Sequence, residues 1–131
     1  MQGVIIFKGK YGATRQYAQW LGHELDLPVY TSNEIQKKEL SLCDFLIIGT
    51  SVYIGKLQIA SWLRNNLSFI RQKKIFFFQV AATPVDQLEK RQAYNTAGIP
   101  NELQHNCEYY YFPGKMIRKN LSWKDKFMLK M

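Results

Sequence analysis

The chain has 131 residues, is 47% hydrophobic, and sets 18 Lys and Arg against 10 Asp and Glu for a formal net charge of +8. That size and apolar content describe one domain, residues 1–131, with its own core, and no apolar run approaches the ~20 residues of a membrane span. Two cysteines without a C-x-x-C, and no spaced His/Cys or carboxylate–histidine set, argue against a disulfide scaffold, a metal centre and triad hydrolysis.

Apolar runs alternate with helical patterns from the first residues onward, which predicts a parallel α/β sheet. Strand one is Gly3 to Phe7. Met1 leads directly into it, without a basic and then apolar leader, so the expectation is a cytoplasmic protein. A helix over Ala13 to Leu25 follows, with Tyr17, Leu21 and Leu25 at i, i+4, i+8 and Ala18 beside them. Pro28 to Tyr30 is a short strand, and Ser32 or Asn33 could cap a brief helix through Lys38. Strand three, Phe45 to Ile48, lacks alternation and is expected to be covered on both faces.

Gly49 and Thr50 end strand three at a loop reaching Lys56, and Ile59, Leu63 and Leu67 mark the next helix. Strand four is Lys74 to Val80; a helix from Val85 to Ala97 has Pro84 in its first turn and Gly98 as its stop. Glu108 to Phe112 is strand five, where aromatic β-propensity accounts for Tyr109, Tyr110 and Tyr111. Cys43 and Cys107 open predicted strands as reduced, space-filling thiols, and His23 and His105 read as surface residues. Residues 113–131 form a basic amphipathic segment: Lys115, Arg118, Lys119, Lys124, Lys126 and Lys130 face one acid, Asp125. With Leu121, Phe127 and Met128, that segment could touch an anionic membrane from the inner face or pack on the domain with its lysines solvated. Nucleic-acid binding would rest on charge alone, and no recognition motif supports it.

The predicted strand–helix order describes an open, doubly wound sheet, in which ligands bind beyond the carboxyl ends of the strands where strand order reverses. Three loops lie at that end. Lys8-Gly9-Lys10-Tyr11-Gly12-Ala13-Thr14 joins strand one to the first helix, a glycine-spaced turn whose backbone N–H groups and helix N-terminus suit a phosphate. It closes with no Gly-Lys-Ser/Thr and lacks G-x-G-x-x-G, so a short-chain phosphate such as that of FMN fits better than a triphosphate or a dinucleotide. The structural alternative is a glycine that permits a tight turn and a threonine that caps a helix. Thr50-Ser51-Val52-Tyr53-Ile54-Gly55 supplies an aromatic beside a glycine, and Ala81-Ala82-Thr83 a wall of small residues.

On these motifs the chain resembles flavodoxin-like domains. Lys8 to Thr14 resembles their phosphate loop and Gly49 to Lys56 their isoalloxazine-flanking loop. Phe112-Pro113-Gly114-Lys115-Met116 and Leu121 to Met128 are similar to the group related to menaquinone-dependent protoporphyrinogen oxidase. The resemblance implies a five-stranded parallel sheet with helices on both faces, the last helix absent or atypical. It implies FMN, held by Lys8, Gly9, Lys10, Tyr11, Gly12, Ala13 and Thr14 at the phosphate. Thr50, Ser51, Val52, Tyr53, Ile54 and Gly55, with Ala81, Ala82 and Thr83, would enclose the ring, Tyr53 or Ile54 lying against it. Lys8 and Gly9 stand where such loops usually begin with hydroxyl residues.

The expected function is therefore an FMN-binding redox protein, in electron transfer or quinone-linked oxidoreduction, with a redox protein or a quinone as partner. No side-chain catalyst and no metal are expected, because the flavin carries the chemistry. The alternative is a degenerate flavodoxin fold acting as a binding or regulatory module without flavin. Gly12→Val is expected to abolish FMN binding and leave the fold largely intact.

Overall fold

The protein is described by a computed structural model over residues 2–9 and 12–115. The strands are β1 (Gly3–Lys8), β2 (Val29–Thr31), β3 (Phe45–Tyr53), β4 (Lys56–Leu57), β5 (Lys74–Ala81) and β6 (Cys107–Pro113). The helices are α1 (Ala13–Leu25), α2 (Lys37–Leu42), α3 (Ala60–Asn65), α4 (Leu67–Ile70), α5 (Leu88–Gly98) and α6 (Asn101–Gln104). The main sheet is parallel in the order β2-β1-β3-β5-β6, and β4 pairs antiparallel with the end of β3. This is the doubly wound sheet expected, with five strands in the parallel path and the two-residue β4 as a sixth.

Strand side chains alternate between two apolar layers because successive residues of a strand point to opposite faces. Ile5, Phe7, Ile47, Phe76, Phe78 and Phe112 pack with Tyr17, Ala18 and Leu21 of α1 on one face. Val4, Ile6, Leu46, Ile48, Ile75 and Phe77 pack on the other with Leu40 of α2, Leu63 of α3, Ile70 of α4 and Leu103 of α6. Burial on both faces explains why β1, β3 and β5 read as unbroken apolar runs. Tyr17 ties α1 to the far edge: its hydroxyl donates to the Pro113 carbonyl at 3.0 Å, with the Lys115 carbonyl also in reach at 3.3 Å. Burial pushes that phenol up to about 12, against the pull of Arg91, so it remains a donor at neutral pH.

Several boundaries differ from the sequence expectation. The 32–38 segment holds no helix from Ser32 or Asn33: Thr31 and Glu34 form a reciprocal turn, Glu34 N–H donating to Thr31 Oγ1 and Thr31 N–H to Glu34 Oε1. Strand three continues to Tyr53 instead of ending at Ile48. The helix expected over Ile59 to Leu67 breaks at Asn66, whose Nδ2 donates to the Trp62 carbonyl and competes with the helical ladder. Helix α5 begins at Leu88, because Pro84 opens a turn closed by Gln87 N–H on its carbonyl rather than a helix. Both thiols are free, and burial raises Cys43 and takes Cys107 to about 11, consistent with inert fillers. The amphipathic segment around Leu121 to Met131 lies outside the described residues.

Candidate functional site

Strand order reverses between β1 and β3, and the three loops singled out by sequence leave the carboxyl ends of β1, β3 and β5 side by side. Lys8 pairs with Thr50, and Ser51 with Val80, so the strand register itself sets the loops as neighbours.

Loop one returns into α1 through Gly12, which takes φ 86°, a left-handed conformation open to glycine at no steric cost. Among the described residues no side chain caps α1 and no acid occupies its first turn, so the leading N–H groups keep their partial positive charge. Over this terminus lies Thr14, 1% exposed, whose Oγ1 has no hydrogen-bond partner among the described residues. A buried hydroxyl without a partner costs about 1–3 kcal/mol, which an oxyanion accepting its proton would relieve. Gly9 closes the cradle: a Cβ there would stand 2.7 Å from Thr14 Cβ and 2.8 Å from its Oγ1. Lys8 and Gly9 are exposed at the rim, while Lys10 and Tyr11 lie outside the described residues.

The second segment is less of a loop than the sequence suggested. Thr50, Ser51, Val52 and Tyr53 continue β3, and Ile54 and Gly55 alone turn the chain into β4, with Tyr53 opposite Lys56. Both turn residues have positive φ, 52° and 71°, as a type I′ hairpin requires. Isoleucine is a poor choice there, since a branched side chain in the left-handed region costs about 1–2 kcal/mol. It nevertheless stands 80% exposed at the hairpin tip. Thr50 is fully buried and holds the chain's return, accepting from Ile59 N–H at 3.1 Å.

In the third segment, Ala81 is buried as the last residue of β5, Ala82 is exposed, and Thr83 pairs with the Tyr94 hydroxyl at 3.2 Å. Beneath it lies a residue that sequence reasoning missed. Arg91 of α5 is fully buried; its Nη2 donates to the carbonyls of Gln79 and Phe112, its Nη1 to that of Thr83, and its Nε to Gln79 Oε1. Gln79 in turn donates to Asn95 Oδ1 and the Arg91 carbonyl, and Asn95 to the Tyr111 hydroxyl. Burial lowers the Arg91 pKa, opposed by Tyr111, Tyr17 and Tyr94. The signal available was Gln79 inside an apolar strand, with Arg91 and Asn95 one turn apart on a helix.

The Thr14 hydroxyl and the N-terminus of α1 thus share one turn, and the segments after β3 and β5 lie at the same end of the sheet. Flavodoxin domains match this chain over residues 4–131. The chain belongs to the flavodoxin domain family. The solved structures similar to this flavodoxin domain agree in fold. An archaeal flavodoxin superposes with TM-score 0.64 at 13% identity, covering 99% of this chain and 95% of its own. Oxidised Flavodoxin 1 from Bacillus cereus gives 0.61 at 16% identity, covering 100% and 99%. The Flv1 flavodiiron core from Synechocystis sp. PCC6803 gives 0.62 at 14% identity, covering 96% of this chain and 34% of the other. No curated protein sequence matches the chain. Among the described residues of this flavodoxin domain no group of His, Cys, Asp and Glu could hold a metal, and no helix is long and apolar enough to cross a membrane.

Proposed function

We propose that this flavodoxin domain binds FMN and serves in electron transfer or quinone-linked oxidoreduction. The observation that carries the reading is the Thr14 hydroxyl, buried at the N-terminus of α1 without a hydrogen-bond partner among the described residues. Thr14 and the backbone of Gly12 to Arg15 would hold the phosphate; Ile54 and Tyr53 on one side, and Ala82 and Thr83 on the other, would face the ring. When bound, the flavin supplies one- or two-electron chemistry, and the chain supplies position, exclusion of water and charge. A quinone as reaction partner is supported by the likeness of Phe112 to Met116 to the menaquinone-linked group, and the basic residues from Lys115 onward suit an anionic membrane surface or an acidic partner protein.

Quenching of flavin fluorescence during an FMN titration tests the reading. Stoichiometric quenching supports it; no binding at high FMN overturns it in favour of a flavin-free module. Thr14→Val keeps the shape and removes the hydroxyl, so FMN affinity should fall about tenfold to a hundredfold, the worth of one hydrogen bond to a charged group. It is a cleaner variant than Gly12→Val. At φ 86° a valine adds backbone strain of about 1–3 kcal/mol, so that variant would weaken the fold as well as the site.

Ile54→Gly separates the ring wall from the fold. Relieving the left-handed isoleucine should raise stability by about 0.5–1 kcal/mol after the entropy of the added glycine. FMN affinity should drop several-fold, because a large apolar contact is lost. Chemical denaturation of the apoprotein and FMN titration read the two effects independently; unchanged affinity would remove Ile54 from the ring site.

A further inference from the structure

Away from the turn between β1 and α1, a cleft of about 420 Å³ opens between α3 and α5, under the β4 hairpin. That volume lies within the range of small-molecule sites, about 300–1,000 Å³. Its lining carries two cations, Lys56 and Arg64, and no carboxylate. Neither cation has an ion-pair partner among the described residues, where the one salt bridge joins Lys74 to Glu108. Arg64 is oriented by its own helix: Nη2 donates to Ser61 Oγ at 3.1 Å, which leaves its other N–H groups available. Leu57 and Ala60 supply apolar wall, and Gly98 sits so close to Leu57 that a Cβ there would stand 2.7 Å from Leu57 Cδ1. The cleft adjoins the ring-facing segments, since Gly55 belongs to both and the lining Tyr94 is bonded to Thr83.

We propose that this cleft binds a small organic anion. Arg64 and Lys56 hold its carboxylate, sulfonate or phosphate group, and Leu57, Ala60 and the small residues of α5 take its apolar body. Unpaired cations beside an apolar wall bind such a molecule better than either feature alone: a charge-assisted hydrogen bond fixes the head, and burial of the body adds area-dependent affinity. Arg64 offers a planar fork suited to two oxygens, and Lys56 adds a point charge. Beside Gly55 and Tyr94, the ligand would sit next to the segments proposed to face the ring; the inference rests on the FMN reading for that neighbourhood and not for binding.

Anthraquinone-2-sulfonate is the probe, because it joins one anionic head to a flat redox-active body. Titrated without FMN into the isotopically labelled full chain, it should shift the amides of Ser61, Arg64, Ala97 and Gly98 saturably. Affinity should decline with added salt, and Arg64→Gln combined with Lys56→Gln should weaken it about tenfold or more. Both side chains are exposed, so the double variant should fold, and its amide spectrum checks this directly. Inorganic phosphate alone should bind far more weakly than the probe. Absence of saturable shifts at those amides, an unchanged Kd in the double variant, or equal affinity for phosphate would overturn the proposal. FMN is titrated into separate samples, so a failure of FMN to bind would sink the flavin reading and leave the cleft result standing.

Discussion

Arg91→Met should lower stability by about 3 kcal/mol and the melting temperature by roughly 10 °C. A buried charge is often a poor stabiliser, and exchanging a whole buried ion pair for apolar residues can be neutral or better. Arg91 differs in kind. Its partners are carbonyl oxygens of Gln79, Thr83 and Phe112 and the amide oxygen of Gln79, all neutral and all fixed in place by β5, β6 and the turn after β5. Methionine fills the volume yet offers those oxygens nothing, and each buried acceptor left without its donor costs about 1–3 kcal/mol. The loss of hydrogen bonding therefore outweighs the desolvation relieved by removing the charge.

Arg91→Lys sharpens the test. Lysine keeps the charge and can satisfy some of the carbonyls, but it lacks the fork that reaches β5 and β6 together. It should recover part of the loss, roughly half. Because Nη1 also holds the Thr83 carbonyl, the methionine variant should loosen the turn after β5, and on the proposed FMN reading it should weaken FMN in titration. A Met variant melting within two or three degrees of the parent, by rough expectation, would show the network to be a passenger.

The contrast between α1 and α5 shows what the amino-acid order makes legible. The bounds of helix α1 are legible because Tyr17, Ala18 and Leu21 form an apolar stripe and Gly12 marks its entry. Helix α5 buries Arg91 and Asn95 instead, so its inner face reads as solvent and the sequence starts it at Val85, three residues before the observed Leu88. A single arginine in a helical pattern carries no sign of the carbonyls that will surround it, because those come from β5, β6 and the loop between β5 and α5. The turn that would seat a phosphate is legible for the opposite reason. Its parts, Gly9, Gly12 and Thr14, lie within a few residues at a strand-to-helix junction, and local geometry dictates most of it. The hairpin lay between these cases: Gly49 and Thr50 looked like a strand end, whereas both continue β3, one beneath an aromatic ring and the other fully buried.

That ring makes Gly49→Val the second large effect. Gly49 lies in the middle of β3, opposite Phe78 of β5, and a Cβ built there would fall 2.0 Å from Phe78 Cζ and 2.4 Å from its Cε2. A ring tip can sometimes swing aside at little cost, but this one is held. Phe78 is fully buried, stacks on Phe112 at 5.2 Å between centroids, and meets Tyr17 edge-on at 6.5 Å. Tyr17 is itself anchored through its hydroxyl to the Pro113 carbonyl, so displacing the ring disturbs the join between α1 and β6. Overpacking of this kind costs about 1–3 kcal/mol, and valine should reach or pass the upper end, with alanine below it. Phe78→Leu removes the ring atoms in conflict, so the double variant Gly49→Ala/Phe78→Leu should be more stable than the sum of its single losses by about 1 kcal/mol or more. Strict additivity in that cycle would mean that Gly49 is needed for its backbone and not for the space it leaves to Phe78.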